Sequence, residues 1–407
     1  MIRTVKNYFH FIEALIANVA YQYPSTHMTV IGVTGTDGKT TTSSMIAHTL
    51  SENGFKTAVI TTVGATINGI FYETGFHTTT PSSFYLQKYL SMAKKAGCTH
   101  VVIETTSHAL HQHRTLGISF KIGVITNITH EHLDYHKTLH KYMKAKSILL
   151  KRSKIKFLNF DDPIYPDLRS EVPEKNRYYY SLHDKDSYAS PRLLPKKIQA
   201  LGEFNMQNAL AAACACKAVG VSEKAITKAL QSFQLPEGRM EIVHNNSFQV
   251  VIDFAHTPNS IAKVLPQLKE ATQGKLIHVF GAAGKRDATK RNEMGKASAS
   301  IADIIVLTAE DPRGEDVISI CNQIKSGISG FKELSPKLIV RDDTRYFVII
   351  PDRKNAIEFA IQHAKKGDIV VLTGKGHEKS MNVSGLEEPW SDKEAVFEAL
   401  EKLSHKA

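Results

Sequence analysis

The nine residues from Gly32 to Thr40 (GVTGTDGKT) combine glycines, hydroxyl side chains and one lysine directly after an apolar run. In such a loop, backbone N–H groups surround phosphate oxygens, and the N-terminus of the following helix adds a favourable dipole. Lys39 would neutralise charge on the β- and γ-phosphates, and Thr40 would place its hydroxyl on Mg²⁺. The usual spacing is GxxxxGK[ST], and TGTDGKTTT is a known variant of it. The segment therefore predicts a nucleoside-triphosphate site.

A carboxylate is expected near this loop. Glu104 ends the apolar run Val101–Ile103, which reads as a buried strand. Ligands of open α/β sheets bind at the carboxyl ends of the strands. A carboxylate at that position suits Mg²⁺, a hard cation that prefers oxygen ligands.

A histidine-rich loop, Thr126–His136 (TNITHEHLDYH), follows another apolar run. Histidine clusters suggest zinc, but no cysteine and no remote ligand set accompanies this one. Single histidines also serve as structural hydrogen-bonding groups. On the residues alone, the role of His132 as a metal ligand therefore stays open.

The elements that must position these residues alternate between apolar strands and helices. This rhythm predicts an α/β fold, with a central P-loop domain built on a mostly parallel sheet and a Rossmann-like C-terminal domain. Residues 151–200 read as polar and irregular, and Pro236–Gly238 reads as a boundary. We predict an N-terminal segment (1–27), a central domain (28–236) and a C-terminal domain (237–407). The predicted strands are Thr29–Val33, Ala58–Thr62, His100–Ile103, Ile122–Thr126, Phe248–Ile252, Leu276–Phe280, Ile304–Thr308 and Ile369–Thr373; the predicted helices are Thr41–Asn53 and Asn205–Gly220.

The composition is that of a globular intracellular protein. The four cysteines form no CxxC pair, and 42% of the residues are hydrophobic, as in a globular intracellular enzyme with reduced thiols. The net charge of +11 favours anionic partners. The basic residues are scattered and no nucleic-acid-binding motif is present, so phosphates and carboxylates on small substrates are the expected anions.

The N-terminal segment reads as an amphipathic helix. Apolar residues recur at helical spacing through Val5, Tyr8, Ile12, Leu15 and Val19, with charged residues between them. Two interpretations stay open: a helix packed on the body of the protein, or a helix lying on a membrane surface.

At this point the sequence resembles the Mur ligase family, most closely its MurE-type branch, which adds the third residue of the peptide stem to UDP-N-acetylmuramoyl-L-Ala-D-Glu. The resemblance covers about residues 28–400, with its motifs in order. They are TGTDGKTTT (34–42), ExxSHALxQxR (104–114), the loop TNITxEHLDYH, YxKAK (142–146), FNMQNAL (204–210), EGRME (237–241), DFAHTP (253–258), GAAGKRDATKR (281–291), EDPRGED (310–316) and GKGHE (374–378).

The resemblance implies a catalytic and metal-binding set. Lys39 and Thr40 would hold the triphosphate and the first Mg²⁺, Glu104 would be a metal ligand, and His132 would help to hold a second metal. Lys146 matches the family's carbamylated lysine, whose CO₂ adduct is an anionic oxygen ligand where a plain ammonium would be repelled by Mg²⁺. The residues expected to bind ATP are Gly35, Thr36, Asp37, Gly38, Lys39, Thr40, Thr41, Asn208, Arg239 and Asp253, the last two after domain closure.

The resemblance also implies substrate-binding residues. Ser107 and Arg114 would orient the acceptor substrate, together with Thr79 and Thr80. The residues expected to bind the incoming amino acid are Arg286, Asp311, Arg313, Gly374 and Glu378. The family's signature for meso-diaminopimelate is Asp-Asn-Pro-Arg, whereas residues 310–313 read Glu-Asp-Pro-Arg. Arg313 favours a distal carboxylate and hence diaminopimelate, while a carboxylate at 311 would favour an amine such as lysine.

The resemblance departs from the family at the front of the chain, where only 27 residues precede the ATP domain instead of a UDP-binding domain. We therefore expect an ATP- and Mg²⁺-dependent ligase, cytoplasmic and monomeric, that activates a muropeptide carboxylate as an acyl-phosphate and joins it to an amino acid. The alternative is a related ligase for a lipid-linked, folate or other polyglutamate-type carboxylate. A non-catalytic nucleotide-binding scaffold is the third interpretation. It is not favoured, because a decayed enzyme would have lost some of the residues Lys39, Glu104, His132 and Lys146, and all four are present.

Overall fold

A computed structural model describes residues 2–74, 79–336 and 345–405, without the side chains of residues 2–6. The chain divides into two compact units, Met1–Gln234 and Leu235–Ala407. Within the described ranges, no helix is long and apolar enough to cross a membrane.

The N-terminal unit contains an eight-stranded sheet with the order β4-β3-β2-β5-β1-β6-β7-β8. Strands β2, β5, β1, β6, β7 and β8 are parallel, and β3 and β4 are antiparallel additions at one edge. The strands are β1 (Thr29–Thr34), β2 (Thr57–Ile60), β3 (Ala65–Ile67), β4 (Ile70–Tyr72), β5 (His100–Glu104), β6 (Phe120–Ile125), β7 (Ile155–Asn159) and β8 (Arg177–Tyr180).

The helices of this unit are α1 (Ile2–Ala20), α2 (Lys39–Glu52), α3 (Ser83–Lys95), α4 (Ser107–His111), α5 (Leu133–His136), α6 (Leu139–Arg152), α7 (Tyr165–Glu171), α8 (Lys196–Gln199), α9 (Glu203–Ala218) and α10 (Glu223–Ser232). All five residues of β5 are buried, as are the last five of β1. Strands buried on both faces require helices on both sides of a parallel sheet, which explains the apolar runs in the sequence.

Residues 151–200 do not form the irregular segment that we predicted. Strands β7 and β8 extend the sheet there, and Phe157, Leu158 and Tyr180 are fully buried. Strand β7 is only five residues long and lies in a lysine-rich stretch, so its apolar residues do not stand out in the composition of the segment.

Helix α1 packs against α3. The face of α1 that is buried carries small residues: Ala14, Ala17 and Asn18. The apolar stripe that the sequence indicates faces outward. Among the described side chains of this helix, six large apolar or aromatic ones are exposed, and they include most of that stripe: Tyr8, Phe9, Ile12, Leu15, Ile16 and Val19. The side chain of Val5 lies outside the described residues. The contact between α1 and α3 therefore agrees with the packed-helix interpretation, and the structure shows which face packs.

The C-terminal unit contains a seven-stranded sheet with the order β13-β14-β12-β11-β15-β10-β9, in which only β9 runs antiparallel. A separate hairpin pairs β16 with β17. The strands are β9 (Glu241–Asn245), β10 (Gln249–Asp253), β11 (Leu276–Phe280), β12 (Ile304–Leu307), β13 (Lys332–Glu333), β14 (Tyr346–Ile349), β15 (Ile369–Thr373), β16 (Ser380–Val383) and β17 (Leu386–Pro389).

The helices of the C-terminal unit are α11 (Pro258–Ala271), α12 (Arg291–Ala299), α13 (Val317–Lys325), α14 (Arg353–His363) and α15 (Asp392–Ser404). Helix α11 begins with a capping box between Thr257 and Ser260, followed by Pro258 at its first position. Residues from β10, β11, β12, β14 and β15 pack with α14 and α15 into one apolar core. The predicted α/β fold class is confirmed.

Candidate active site

The loop between β1 and α2 is shaped by two glycines and by the segment after β6. Gly38 has a φ of +81°, and a Cβ on it would lie 2.2 Å from Oδ1 of Asn208. A Cβ on Gly35 would lie 1.8 Å from Oγ1 of Thr126. Both contacts are too close for any side chain, so the loop can pass between these residues only as glycine.

Thr126 and Asn127 hold this loop in place. Thr126 donates to the carbonyl of Asp37 at 2.6 Å, and the backbone N–H of Thr36 donates to the carbonyl of Asn127 at 2.8 Å. The backbone N–H of Asp37 donates to Oδ1 of Asn127 at 3.0 Å. The TN pair in the sequence is thus a support for the phosphate loop.

Glu104 lies at the carboxyl end of β5, beside the start of α2. The hydroxyl of Thr40 donates to Glu104 Oε2 at 2.9 Å. Thr62 donates to the same carboxylate from its backbone N–H at 3.1 Å and from its hydroxyl at 3.0 Å. The carboxylate is 1% exposed. A buried carboxylate next to a threonine hydroxyl supplies two oxygen donors, the type that Mg²⁺ prefers, so these residues fit that ion.

Lys146 is buried on α6 beside the same loop. Its Nζ donates to the carbonyl of Gly35 at 2.5 Å and lies 4.4 Å from the centre of the Tyr142 ring. Burial, and then the positive charge of Lys39, hold the pKa of Lys146 well below its usual range. A lysine in this environment is readily neutral, which is the form that can react with CO₂.

His132 lies in the histidine-rich loop with a left-handed φ of 56°. Its ring centre is 4.7 Å from that of His108, and its Nε2 is 3.7 Å from a carboxylate oxygen of Glu131. Among the residues that the structure describes, no group of three or more histidines, cysteines or carboxylates could hold a metal ion. A role for His132 in metal binding stays a prediction.

The predicted substrate-orienting residues surround the end of β5. Arg114 donates to the carbonyl of Thr80 at 3.1 Å, and Thr80 donates to the carbonyl of Glu104 at 3.0 Å. Ser107 lies 3.0 Å from Nε2 of His136. Thr79 is half-buried beside Thr80. These residues and Glu104 thus occupy the same edge of the sheet.

Helix α1 contacts the segment that carries Arg114. The amide of Asn7 lies 3.3 Å from Nδ1 of His111, and the ring of Phe11 packs edge-on against His113. Asn18 donates to the carbonyl of Leu116 at 2.7 Å. The first helix therefore forms one wall beside the predicted substrate-orienting residues.

Asn208 on α9 touches the phosphate loop directly. Its Oδ1 accepts a hydrogen bond from Thr42 at 3.3 Å, in addition to the close approach to Gly38. Thr41 is buried at the start of α2. The structure thus brings Asn208 together with the loop residues, and its predicted contact with adenine stays a prediction.

In the C-terminal unit, Arg239 stacks on Phe254, with its guanidinium carbon 4.4 Å from the ring centre. Asp253 accepts backbone N–H groups from Met240 at 2.8 Å and from Ala255 at 2.7 Å. Burial raises the pKa of the Asp253 carboxyl. Asp253 thus shapes the turn that presents Arg239, and nucleotide contact by either residue stays a prediction.

The predicted amino-acid site, Arg286, Asp311, Arg313, Gly374 and Glu378, lies at the carboxyl ends of β11, β12 and β15. Arg313 donates to Asp311 Oδ2 at 2.9 Å. Gly374 has a φ of +104°, and a Cβ there would lie 3.1 Å from Cγ of Glu310. Arg286 is exposed in the loop after β11. The loops that follow three predicted strands therefore bring these residues to one sheet edge.

Two residues that the sequence analysis did not single out belong to these clusters. Thr62 binds both oxygens of Glu104, and Lys375 donates to both Asp311 and Glu378. Lys375 stands in the GKGHE motif, but nothing in the sequence pairs it with Asp311, which lies 64 residues earlier. Thr62 follows β2 in an ordinary TTVG stretch that carries no signal.

Two family profiles match the chain. The Mur ligase middle domain matches residues 33–216, and the profile described as Mur ligase, glutamate ligase domain, matches residues 238–376. The UDP-N-acetylmuramoyl-L-alanyl-D-glutamate--2,6-diaminopimelate ligase 1 of Clostridium acetobutylicum is 36% identical over 94% of this chain and 80% of that relative.

Solved structures agree with these matches. A structure of a UDP-N-acetylmuramoyl-L-alanyl-D-glutamate--2,6-diaminopimelate ligase superposes with a TM-score of 0.59 at 30% identity, over 93% of this chain and 79% of that one. Folylpolyglutamate synthase of Mycobacterium tuberculosis superposes with a TM-score of 0.69 at 16% identity, over 89% and 92% of the two chains. The second likeness shows the fold alone. On the two profiles and the 36% identical relative, this chain belongs to the Mur ligase family.

Proposed function

We propose that this protein is an ATP-dependent ligase that adds diaminopimelate to a muramoyl-L-Ala-D-Glu precursor in peptidoglycan synthesis. The observation that carries the proposal is the joint position of Lys39, Thr40, Glu104 and Lys146 around one loop, in a chain similar to ligases with that name. Arg313 beside Asp311 supports the choice of amino acid.

In the first step, an oxygen of the substrate carboxylate attacks the γ-phosphorus of ATP, and the bond from that phosphorus to the ADP oxygen breaks. The products are an acyl-phosphate and ADP. Negative charge spreads over the phosphoryl oxygens during this transfer. Backbone N–H groups of the loop and the ammonium of Lys39 stabilise that charge. The Lys39 ammonium donates to the carbonyl of Thr36 at 2.7 Å, which holds it at the loop.

Thr40 and Glu104 would hold Mg²⁺, and carbamylated Lys146 would supply a further anionic oxygen. When bound, the ion offsets phosphate charge and orients the triphosphate. Carbamylation joins the neutral Nζ to the carbon of CO₂ with release of one proton. The buried position of Lys146 and its lowered pKa support this modification. His132 is proposed as a contributor to a second metal site.

In the second step, the amine nitrogen of the amino acid attacks the acyl carbon, the tetrahedral intermediate expels phosphate, and the nitrogen loses a proton. Arg313 is proposed to pair with the distal carboxylate of diaminopimelate. Lysine is the less favoured substrate, because Asp311 already accepts hydrogen bonds from Arg313, Lys375 and the backbone of Asn382. The charge of Asp311 is thereby offset and is not directed at a substrate amine.

A second candidate is a ligase of the same superfamily that extends a folate, lipid-linked or polyglutamate-type substrate. The fold likeness to folylpolyglutamate synthase favours it only at the level of architecture. The carboxylate that triggers phosphate release from ATP separates the two candidates.

The outward face of α1 suggests how the substrate reaches the site. Its exposed residues include Tyr8, Phe9 and Ile16, and α1 contacts the segment around Arg114. We propose that this face contacts an anionic membrane surface, consistent with a net charge of +11. The side chains of Arg3 and Lys6 belong to this prediction but lie outside the described residues. Small-molecule substrates, a cytoplasmic location and a monomeric state complete the proposal.

The experiment that tests the function is phosphate release from ATP across a panel of carboxylate substrates and amino acids, with detection of the amide product. The proposed ligase requires a muramoyl dipeptide and diaminopimelate together. A requirement for a folate or a polyglutamate instead would select the second candidate.

A further inference from the structure

Lys375 is a buried ammonium between two carboxylates of the proposed amino-acid site. It follows Gly374 at the end of β15 and is 0% exposed. Its Nζ donates to Asp311 Oδ1 at 2.8 Å and to Glu378 Oε2 at 2.6 Å. Glu378 belongs to the same turn, whereas Asp311 follows β12. One lysine thus ties two loops of the site together.

Asp311 connects this ammonium to Arg313. One carboxylate oxygen accepts from Lys375 and from the backbone N–H of Asn382, and the other accepts from Arg313. Only one edge of the guanidinium is used in this contact. Nε of Arg313 is buried and finds no hydrogen-bond partner among the described residues. A planar guanidinium can bind a carboxylate with two parallel N–H groups, so a part of its fork remains for a ligand.

The charges of the four groups balance. Lys375 and Arg313 carry two positive charges, and Asp311 and Glu378 carry two negative charges. Without Lys375, Asp311 and Glu378 would both lose the ammonium that donates to them, and their negative charge would act on the surroundings of Arg313. A substrate with a distal carboxylate would then meet one more uncompensated negative charge beside Arg313.

We propose that Lys375 is a positioning residue: it holds Asp311 and Glu378 in place and offsets their charge, which leaves part of Arg313 available for the distal carboxylate of the incoming amino acid. This inference rests on the proposed function and concerns its substrate class, an amino acid with a second carboxylate. It also explains how a carboxylate at 311 is compatible with that substrate. Lys375 itself is not assigned any contact with substrate.

The test compares Lys375→Met, Asp311→Asn and the double variant of the full chain, with Lys366→Met, an exposed lysine beyond α14, as the control. The measured quantity is the ratio of kcat/KM for diaminopimelate to kcat/KM for lysine, with the KM for ATP alongside. We expect Lys375→Met to lower the ratio at least about 30-fold, because excess negative charge opposes the second carboxylate and not the amine. Asp311→Asn keeps an acceptor oxygen for Lys375 and removes one negative charge, so it should not lower the ratio.

The double variant removes one positive and one negative charge and should return the ratio most of the way to the unmutated value. A residue needed only for folding would depress both amino acids equally and would not be rescued by Asp311→Asn. A ratio unchanged in Lys375→Met overturns the inference. If that variant does not fold, the double variant decides: a ratio near the unmutated value supports the inference, and a preference for lysine overturns it. An unmutated enzyme that uses neither amino acid refutes the proposed function instead.

Discussion

The hydroxyl of Thr40 donates to a carboxylate oxygen of Glu104 at 2.9 Å, across 64 residues of sequence. Thr40 lies in the first turn of α2 and Glu104 ends a parallel strand. Their contact follows from the register between β1 and β5, where Val33 pairs with Glu104. A buried carboxylate in this position needs partners, and two threonines provide them. The contact joins the phosphate loop to the proposed metal site.

Removal of the Lys39 ammonium should cut turnover by at least about 100-fold. The loss of one charged group from a phosphoryl-transfer site raises the activation free energy by a few kcal/mol. Steady-state phosphate release by Lys39→Ala measures this. Lys94→Ala, an exposed lysine at the end of α3, serves as the control and should be unchanged. Near-normal turnover of Lys39→Ala would contradict the proposed role of this loop in phosphoryl transfer.

Lys146→Ala should be inactive if the carbamate supplies a needed anionic oxygen. Acetate or formate at millimolar concentration should then restore part of the activity, because a small carboxylate can occupy the vacated space. Lys141→Ala on the exposed face of α6 should show neither loss nor rescue. Activity of Lys146→Ala without any added carboxylate would contradict the carbamate proposal, as would a crystal structure with metals bound and Lys146 unmodified and distant.

Lys146 should also make the stability of the apo protein depend on pH. Its pKa is lowered in the folded state, so the unfolded state binds more protons between that lowered value and the ordinary value of 10.5. The free energy of unfolding therefore rises with pH through this window because of Lys146. In CO₂-depleted buffer, the stability of Lys146→Met relative to the unmutated chain should fall as the pH rises toward 10.5, by at most about 1.4 kcal/mol per pH unit. Urea unfolding with Lys141→Met as the control measures it, and a pH-independent difference would contradict the lowered pKa.

Arg313→Ala should raise the KM for diaminopimelate by about 10- to 100-fold and leave the KM for ATP nearly unchanged, because hydrogen bonds to a charged group contribute about 1.5–3 kcal/mol. Lys296→Ala, a solvent-exposed change on α12, should affect neither. Better use of lysine than of diaminopimelate by the unmutated enzyme would overturn the assignment of Arg313.

The outward face of α1 should support binding to anionic vesicles at moderate salt, because its exposed apolar side chains can enter the interface while the positive protein is attracted to the surface. Replacement of Phe9 and Ile16 by serine should reduce flotation with such vesicles, whereas Phe397→Ser, an exposed phenylalanine of α15, should not. Flotation that is absent in the unmutated chain would eliminate the membrane contact.

The sequence predicts the fold class and most of the loop site because the information there is local. Strand, glycine turn and helix follow one another around Lys39, and the carboxyl end of β5 places Glu104. The outward orientation of α1 was not predictable from periodicity, since an amphipathic stripe does not say which face packs. The partners of Asp311 were also out of reach, because Lys375 lies in a turn 64 residues further along the chain.

The most direct test of the central claim is the coupling between ATP cleavage and amide formation. With ATP, Mg²⁺, a muramoyl-L-Ala-D-Glu substrate and diaminopimelate, phosphate and tripeptide product should appear in equal amounts, and omission of either organic substrate should abolish net phosphate release. Phosphate release at the same rate without the muropeptide would contradict the assignment of this chain as a ligase that activates that carboxylate.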